Sequence, residues 1–227
     1  MGYCARVSSN NQDNKDVTKL LRYCANHKHW SVFEMASLCI EIETSRAISA
    51  QILRHRSFHY QEFSQRYAAL DQHGIHYYAA RRQDTKNRQN SIDDIPDAIQ
   101  QEWMARQQDN WKRAFEHYTW ALNKDIAKEC ARMVLPLASA TRLYMVGTVR
   151  DWIHYIVVRT DPSAQKEHRD VAEACKVLFC EAFPIVAHAL GWITKSHQNT
   201  LLTQTHEYAI VAASEVKPAM RQGDDNV

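Results

Sequence analysis

The chain has 227 residues, 45% of them apolar and 24% charged, which suits one domain with a sizeable core. Its 28 basic and 26 acidic side chains leave a formal net charge of +2, too small for a general nucleic-acid surface. No apolar run approaches the roughly 20 residues that a bilayer-spanning helix needs, and Met1-Gly2-Tyr3-Cys4-Ala5-Arg6 lacks a signal-peptide core, so a cytoplasmic protein is the expectation.

In chain order, residues 1–13 are polar and read as partly extended. Asp16 stands where it can cap a helix running to His27, with Val17, Leu20, Leu21 and Cys24 on one face. His27-Lys28-His29-Trp30-Ser31 reads as a loop. Over 36–43, Leu38, Ile40 and Ile42 recur at the period of a half-buried strand. Ser45 starts a helix to about His55, with Ile48, Ile52 and Leu53 inward, and Gln51, Arg54 and His55 at spacings of three and four. Residues 72–95 are polar and irregular, which predicts a mobile loop. A helical pattern runs from Pro96 to Val134, with one apolar stripe at Ile99, Trp103 and Met104 and another at Trp111, Phe115, Tyr118 and Leu122. Pro136 ends it. A strand is predicted over 138–149 with Leu143, Met145 and Val149 on one face, then a short helix from Trp152 to Arg159. A long helix follows over 164–190, its stripe at Val171, Ala174, Cys175, Leu178 and Phe179. Residues 194–227 are polar and predict a frayed extension beyond a domain of 1–193.

The six cysteines form no Cys-x-x-Cys, which argues against a zinc ribbon or a thioredoxin-like pair. Cys24, Cys39, Cys175 and Cys180 stand among apolar residues and are expected as buried thiols rather than nucleophiles. The five glycines are too scattered for Gly-x-Gly-x-x-Gly or a P-loop, so any bound dinucleotide is held by side chains. His27 and His29 are two apart, which suits a strand but not a helix face. No acidic or thiolate partner recurs at ligand spacing, and no metal site is expected.

The most informative stretch is Arg54-His55-Arg56-Ser57-Phe58-His59-Tyr60-Gln61-Glu62-Phe63-Ser64-Gln65-Arg66, held between apolar segments on both sides. Three guanidiniums so close repel one another unless an anion neutralises them, and their planar forks match phosphate and carboxylate oxygens. Charge runs are usually solvated faces. A phosphorylated ligand is one alternative. The other is a nucleic-acid module using 54–66 and 81–88, with Phe58 and Tyr60 stacking on bases. Ser64 has His55 and His59 nearby in sequence, a conceivable nucleophile pair, but its neighbours Glu62 and Arg66 suit ligand binding better.

Arg-His-Arg, then seven residues, then Ser-x-Arg resembles the signature of the flavin-dependent thymidylate synthases: Arg54, His55, Arg56, residues 57–63, Ser64, Gln65, Arg66, with Glu62 two before the serine and Tyr67 after the last arginine. His29, Ser31 and Glu34 resemble the family's His-x-(Ser/Thr)-x-x-Glu element, with Val32 where members often have Pro. Leu135-Pro136, Ala140-Thr141-Arg142 and the run from Arg159 through Ala164-Gln165 and Glu167 to Arg169 resemble its remaining elements, in order. The chain departs where many members have Asn before Arg159 and His or Asn at Ser163.

The resemblance implies an α+β fold, a small, mainly antiparallel sheet packed with several helices. It implies methylation of dUMP to dTMP with methylenetetrahydrofolate as carbon donor, reduced FAD as hydride donor, NADPH as the reductant of the flavin, and no enzyme nucleophile. Position by position, Gln51, Arg54, Glu62, Ser64, Gln65, Arg66, Arg142 and Arg169 would bind dUMP, Arg169 also favouring the uracil ionised at N3. His29, Ser31, Arg54, His55, Arg56, Glu62 and Arg159 would hold FAD. The family's assembly is a homotetramer with shared sites; neither nucleic acid nor membrane is an implied partner.

Overall fold

Alternating apolar residues build the sheet that organises the fold, in a computed structural model that describes residues 1–71 and 74–203. Along the chain come helices α1 (Gly2–Ala5) and α2 (Thr18–Asn26), a 3-10 turn at Trp30–Glu34, strand β1 (Ser37–Ser45), helix α3 (Arg46–Ile52) and strand β2 (His59–Glu62). A two-residue ribbon, β3 (Arg82–Gln83) with β4 (Ser91–Ile92), precedes the long helix α4 (Asp97–Leu122) and the short α5 (Lys128–Ala131). Strand β5 (Ala140–Thr148) leads into α6 (Val149–Arg159), α7 (Lys166–Ala182) and α8 (Pro184–Ala189). The fold is α+β, as expected. Two compact units divide it: one holds Met1 and 30–176, the other 2–29 and the chain from 177.

In the first unit the sheet order is β1-β5-β2, antiparallel throughout. Ser37 stands opposite Thr148 and Ser45 opposite Ala140 on one side of β5; on the other, His59 faces Val146 and Glu62 faces Leu143. Ile40, Ile42 and Thr44 point inward from β1, as do Thr141, Leu143, Met145 and Gly147 from β5. The same period of two puts Cys39 on the exposed face with Glu41 and Glu43, so the buried thiol expected there is absent. Apolar neighbours in sequence do not decide which face a strand residue takes.

Ser45 is the N-cap of α3, its Oγ accepting from the Ile48 amide at 3.4 Å. The helix stops at Ile52, short of His55, and Leu53 is exposed. The chain has only residues 53–58 in which to turn into β2, and the Tyr60 hydroxyl reaches back to the carbonyls of Ile52 at 3.0 Å and His55 at 2.9 Å. The basic stretch therefore does not continue as a loop: four of its residues are the edge strand β2. Gly147 makes room for Phe58, since a Cβ there would lie 2.6 Å from the ring. Thr148 and Asp151 form a capping box at the start of α6, three residues before the expected Trp152.

α4 ends at Leu122 because Asp125 takes a left-handed conformation (φ 57°), and α5 and a 3-10 turn at Arg132–Val134 replace the expected continuation. Its buried face is Trp111, Ala114, Tyr118 and Ala121, with Phe115 and Leu122 packed on Tyr118, Ala121 and Ala131. Ile99 and Trp103 are exposed. The irregular 72–95 segment contains the β3–β4 ribbon, where Arg82 pairs with Asp94; residues 72 and 73 lie outside the described residues.

In the second unit, residues 2–5 are helical rather than extended. Asp16 does not cap α2: Val17 holds that position, and the Asp16 carbonyl accepts from Arg6 Nη2 at 2.7 Å. Leu21 and Cys24 are the buried residues of α2, and Arg22 Nε donates to the Ala189 carbonyl of α8 at 3.3 Å. The long helix expected to Leu190 breaks before Pro184, which takes the first turn of α8. Along α7, which begins in the first unit, the buried residues are His168, Ala172, Cys175, Phe179 and Cys180; Cys175 and Phe179 are as expected, whereas Ala174 and Leu178 are exposed. Residues 195–203 are helical rather than frayed, and Leu201 joins Cys180 and Ala187 in a small core. The rest of the expected extension, 204–227, lies outside the described residues.

Candidate functional site

Arg54, Arg56 and Ser57 are exposed on the turn between α3 and β2, while His55 turns inward. Its ring meets Tyr155 edge-on with centroids 4.9 Å apart. Tyr155 and Arg159 are one turn apart on α6 and so share a face. Arg159 Nε donates to His55 Nε2 at 2.8 Å. Arginine has no acceptor to offer, so His55 must be neutral with its proton on Nδ1. Burial first, then the charges of Arg159 and His154, push His55 down to about 4. His168, fully buried, is also pushed down to about 4, by burial first and then by Arg159 and His55.

His168 ties the arginine-rich turn to α7. Its Nε2 lies 3.2 Å from the Tyr155 hydroxyl and its Nδ1 lies 3.4 Å from Gln51 Oε1. Gln51 Nε2 donates to Gln165 Oε1 at 2.6 Å, and Gln165 Nε2 to Glu167 Oε2 at 2.9 Å. Glu167 pairs with Arg81 at 2.6 Å, with side chains only 11% and 14% exposed. Burial would raise the Glu167 carboxyl, but the hydrogen bond from Gln165, its own backbone and Arg81 outweigh that and hold it down. Arg81 thus engages Glu167 in a shielded pair, which removes it from the nucleic-acid face considered for 81–88, while Arg82 pairs with Asp94 in the open.

Glu62, at the end of β2, is held by three donors. Its Oε1 accepts from Ser49 Oγ at 2.7 Å and Thr141 Oγ1 at 2.9 Å, and Arg46 Nη1 lies at 3.3 Å. Just past it, Ser64 and Tyr67 line two open hollows. One, of about 530 Å³, also includes Glu62 and Arg142; the other, of about 410 Å³, includes Arg66, Lys128 and Glu129. Arg66 Nε donates to Glu129 at 3.0 Å and Arg142 Nη1 to Glu41 at 3.4 Å. Both pairs are solvent-exposed, a class worth about 0–1 kcal/mol, so either guanidinium can be given up to an anion. Gln65 is buried, and its Nε2 has no hydrogen-bond partner among the described residues. Arg169 Nη1 donates to the Pro162 carbonyl at 2.9 Å, and no carboxylate pairs with it among the described residues.

A cleft of about 730 Å³ lies between the 3-10 turn and α6. Trp30, Ile153 and Val157 supply apolar wall, Ser57 and His154 polar groups, and Glu34 and Arg150 an ion pair. Ser31 is exposed in the same 3-10 turn. His29 belongs to the other unit, where its ring lies 5.9 Å from Tyr23 and 6.1 Å from His27. Among the described residues no group of three or more His, Cys, Asp or Glu is arranged to hold a metal ion.

The structure thus brings Gln51, His55 and Arg159 together, and Glu62, Ser64 and Arg142 around one hollow with Arg66 on the next. Sequence reasoning gave no role to His168, Tyr155, Arg46, Ser49 or Thr141. The i, i+4 spacing of Tyr155 and Arg159 was the available signal for one of them.

An acid sensitivity follows from the two buried imidazoles. Unfolding returns both to their ordinary value of 6.5, so between 6.5 and about 4 the unfolded chain binds more protons than the folded one. Stability is then complete above 6.5 and is lost as pH falls, by at most about 1.4 kcal/mol per pH unit for each fully differing proton. Half-buried His55 contributes less than His168. Melting temperatures recorded from pH 7 to 4.5 are expected to fall less steeply in a His168→Asn variant than in the parent; equal slopes would contradict the assignment.

The family model described as thymidylate synthase complementing protein matches residues 1–185. A probable flavin-dependent thymidylate synthase of Paramecium bursaria Chlorella virus 1 is 52% identical over 195 residues, 85% of this chain and 90% of the viral one. A flavin-dependent thymidylate synthase of Synechocystis is 53% identical over 192 residues, 85% of this chain and 88% of that one. Among solved structures, a UMP/dUMP methylase from Streptomyces cacaoi bound with 5-Br dUMP superposes with a TM-score of 0.75 over 85% of this chain and 89% of that one, at 23% identity, a likeness of fold. With the model matching most of the chain and two relatives identical at half of their aligned positions, the chain belongs to the flavin-dependent thymidylate synthase family.

Proposed function

We propose that this protein reductively methylates dUMP to dTMP, with methylenetetrahydrofolate as carbon donor and NADPH as the source of reducing equivalents. The observation that carries the reading is the turn after α3. Arg54 and Arg56 stand exposed on it with no carboxylate partner among the described residues, beside a His55 held neutral by Arg159. Two adjacent unpaired guanidiniums suit an anionic ligand. The names of the two half-identical relatives support the reaction.

The donor set fits FAD. Arg54, Arg56, Arg159 and Ser31 offer N–H and O–H donors, while His55 and Glu62 supply orienting groups; His29, in the other unit, is assigned to FAD by the family resemblance alone. Reduced FAD, when bound, supplies the hydride, the hard chemistry of the reaction. On the nucleotide side, Arg54, Arg66 and Arg142 suit the phosphate, and Ser64 offers a hydroxyl. Gln51 offers an amide, and the orphan Gln65 Nε2 offers a donor in want of an acceptor. Glu62, fixed by Ser49, Thr141 and Arg46, is a rigid acceptor shared by both ligands. Arg169 stabilises a uracil ring deprotonated at N3 by placing positive charge against it. A cysteine nucleophile is not called for, and burial raises the Cys24 thiol and pushes Cys175 up to about 12, keeping both protonated.

The excess of exposed arginine on one segment supports sites shared between subunits of a homotetramer. The working assignment is a catalytic domain over 1–193 followed by an extension, acting in the cytoplasm. No described helix is long and apolar enough to cross a membrane.

The deciding experiment is the visible absorption spectrum of the purified protein supplied with FAD, before and after dUMP. A bound flavin whose spectrum shifts on adding the nucleotide is the expected result. A colourless protein, or a flavin spectrum indifferent to dUMP, would overturn the reading.

A further inference from the structure

We propose that His168 is a positioning residue that anchors the Gln51 amide so that its NH₂ is offered to the nucleotide. The inference rests on the proposed assignment of Gln51 to dUMP.

The directions of the hydrogen bonds follow from the charge pair at one end. Arg81 can only donate and the Glu167 carboxylate can only accept. Gln165 must therefore turn its NH₂ toward Glu167 Oε2, 2.9 Å away, which leaves its Oε1 facing Gln51. Gln51 must meet that oxygen with its own NH₂, at 2.6 Å, and so turns its carbonyl oxygen to His168. His168 Nδ1, 3.4 Å from that oxygen, must then carry the proton. A neutral ring leaves Nε2 as an acceptor for the Tyr155 hydroxyl at 3.2 Å. One orientation satisfies every link, from Arg81 on the segment before β3 to Tyr155 on α6. Chains of this kind polarise in one direction, and at the buried His168–Tyr155 link an unsatisfied group is costly.

The consequence lies at Gln51, which is only partly buried. Its NH₂ carries two hydrogens and Gln165 takes one. The other has no partner among the described residues. With its carbonyl held by His168, Gln51 presents a donor. The ligand atom that meets it is therefore an acceptor, a carbonyl or phosphate oxygen, and an amino group at that place is rejected. Without His168, the amide is held at its Gln165 end alone, and its carbonyl end can swing away from the place where the donor meets the ligand.

His168 itself is fully buried and does not reach the ligand, so its effect must pass through Gln51. The test measures dUMP affinity through the flavin spectrum, together with kcat and KM, in single and double variants. His168→Asn, whose amide can stand in for Nδ1–H, is expected within about threefold of the parent for dUMP. His168→Leu is expected to weaken dUMP about tenfold with flavin content and kcat little changed, the loss of one directed hydrogen bond. His168→Gln reaches Tyr155 but not Gln51; it should weaken dUMP similarly and serves if the leucine variant fails to fold. In the double variant His168→Leu/Gln51→Ala, affinity should be no lower than in Gln51→Ala alone. Parental affinity in Gln51→Ala would refute the assignment of Gln51, and this inference with it. A weakened Gln51→Ala beside unchanged His168→Leu and His168→Gln would overturn this inference alone. A loss of melting temperature with no change in affinity would mark His168 as a packing residue and likewise overturn it.

Discussion

Arg169→Ala is expected to reduce dUMP turnover by about a thousandfold, the scale seen when a preorganised charge is removed from a developing anion. Arg169 sits in the first turns of α7, its backbone amide bonded to the Gln165 carbonyl and Nη1 to the Pro162 carbonyl. No carboxylate among the described residues neutralises it. An unpaired guanidinium held by a carbonyl keeps most of its donors for a ligand, and its charge is not spent inside the protein. The glutamate one turn on, Glu173, pairs instead with Lys176 at 3.9 Å. Alanine at 169 leaves the helix intact, since alanine is the best helix former, so the loss should appear in kcat with the circular dichroism unchanged. Arg169→Lys keeps the charge but not the planar fork and should recover only part of the rate. Turnover in Arg169→Ala within tenfold of the parent would remove Arg169 from the chemistry.

Trp152→Ala is expected to cost about 4–5 kcal/mol of folding stability, the upper range for deleting a buried aromatic ring. The side chain is fully buried on α6. Its ring meets Phe58 at 5.0 Å and Tyr155 at 5.8 Å between centroids, and Nε1 donates to the Leu38 carbonyl of β1 at 2.9 Å. Truncation opens a cavity beneath the turn that carries the arginines and removes the indole's hydrogen bond to β1. Against a total stability of about 5–15 kcal/mol, the loss takes about a quarter or more of what holds the chain folded. Urea unfolding would read it directly. Trp152→Phe, which keeps most of the ring but not the N–H, should cost only about 1–2 kcal/mol. A shift below about 1 kcal/mol for the alanine variant would show that helix, strand and turn are tied elsewhere.

What was legible in the chain was local. The alternation of Leu38, Ile40 and Ile42 and the serine before α3 each act within a few residues, and each produced an element close to its expected place; the helix expected to run up to Pro136 stops instead at Leu122. The basic signature was legible for the same reason. Misreadings came where a local pattern had two readings. Pro184 lies inside an apolar run whose pattern continues past it, and on α7 the apolar pattern alone points partly away from the face that His168 heads. A histidine among Glu167 and Arg169 looks solvated until the partners are known. Those partners, Gln51 and Tyr155, lie 117 and 13 residues away in the chain. The pairing of Arg81 with Glu167 is of the same kind: it leaves no periodicity in either segment, because it is made only when the polypeptide has already folded.

The Tyr60 hydroxyl has a bearing on how ligands arrive. Burial pushes this phenol up to about 12, so it stays protonated and shares its hydrogen between the carbonyls that open and close the first half of the turn, Ile52 and His55. The segment that displays Arg54 and Arg56 is thereby cross-braced by a strand residue of the same chain before any anion is present. Ordering such a segment on binding ordinarily consumes part of the interaction energy. Here that entropy is spent during folding, and an incoming phosphate meets a surface whose backbone has nothing left to arrange.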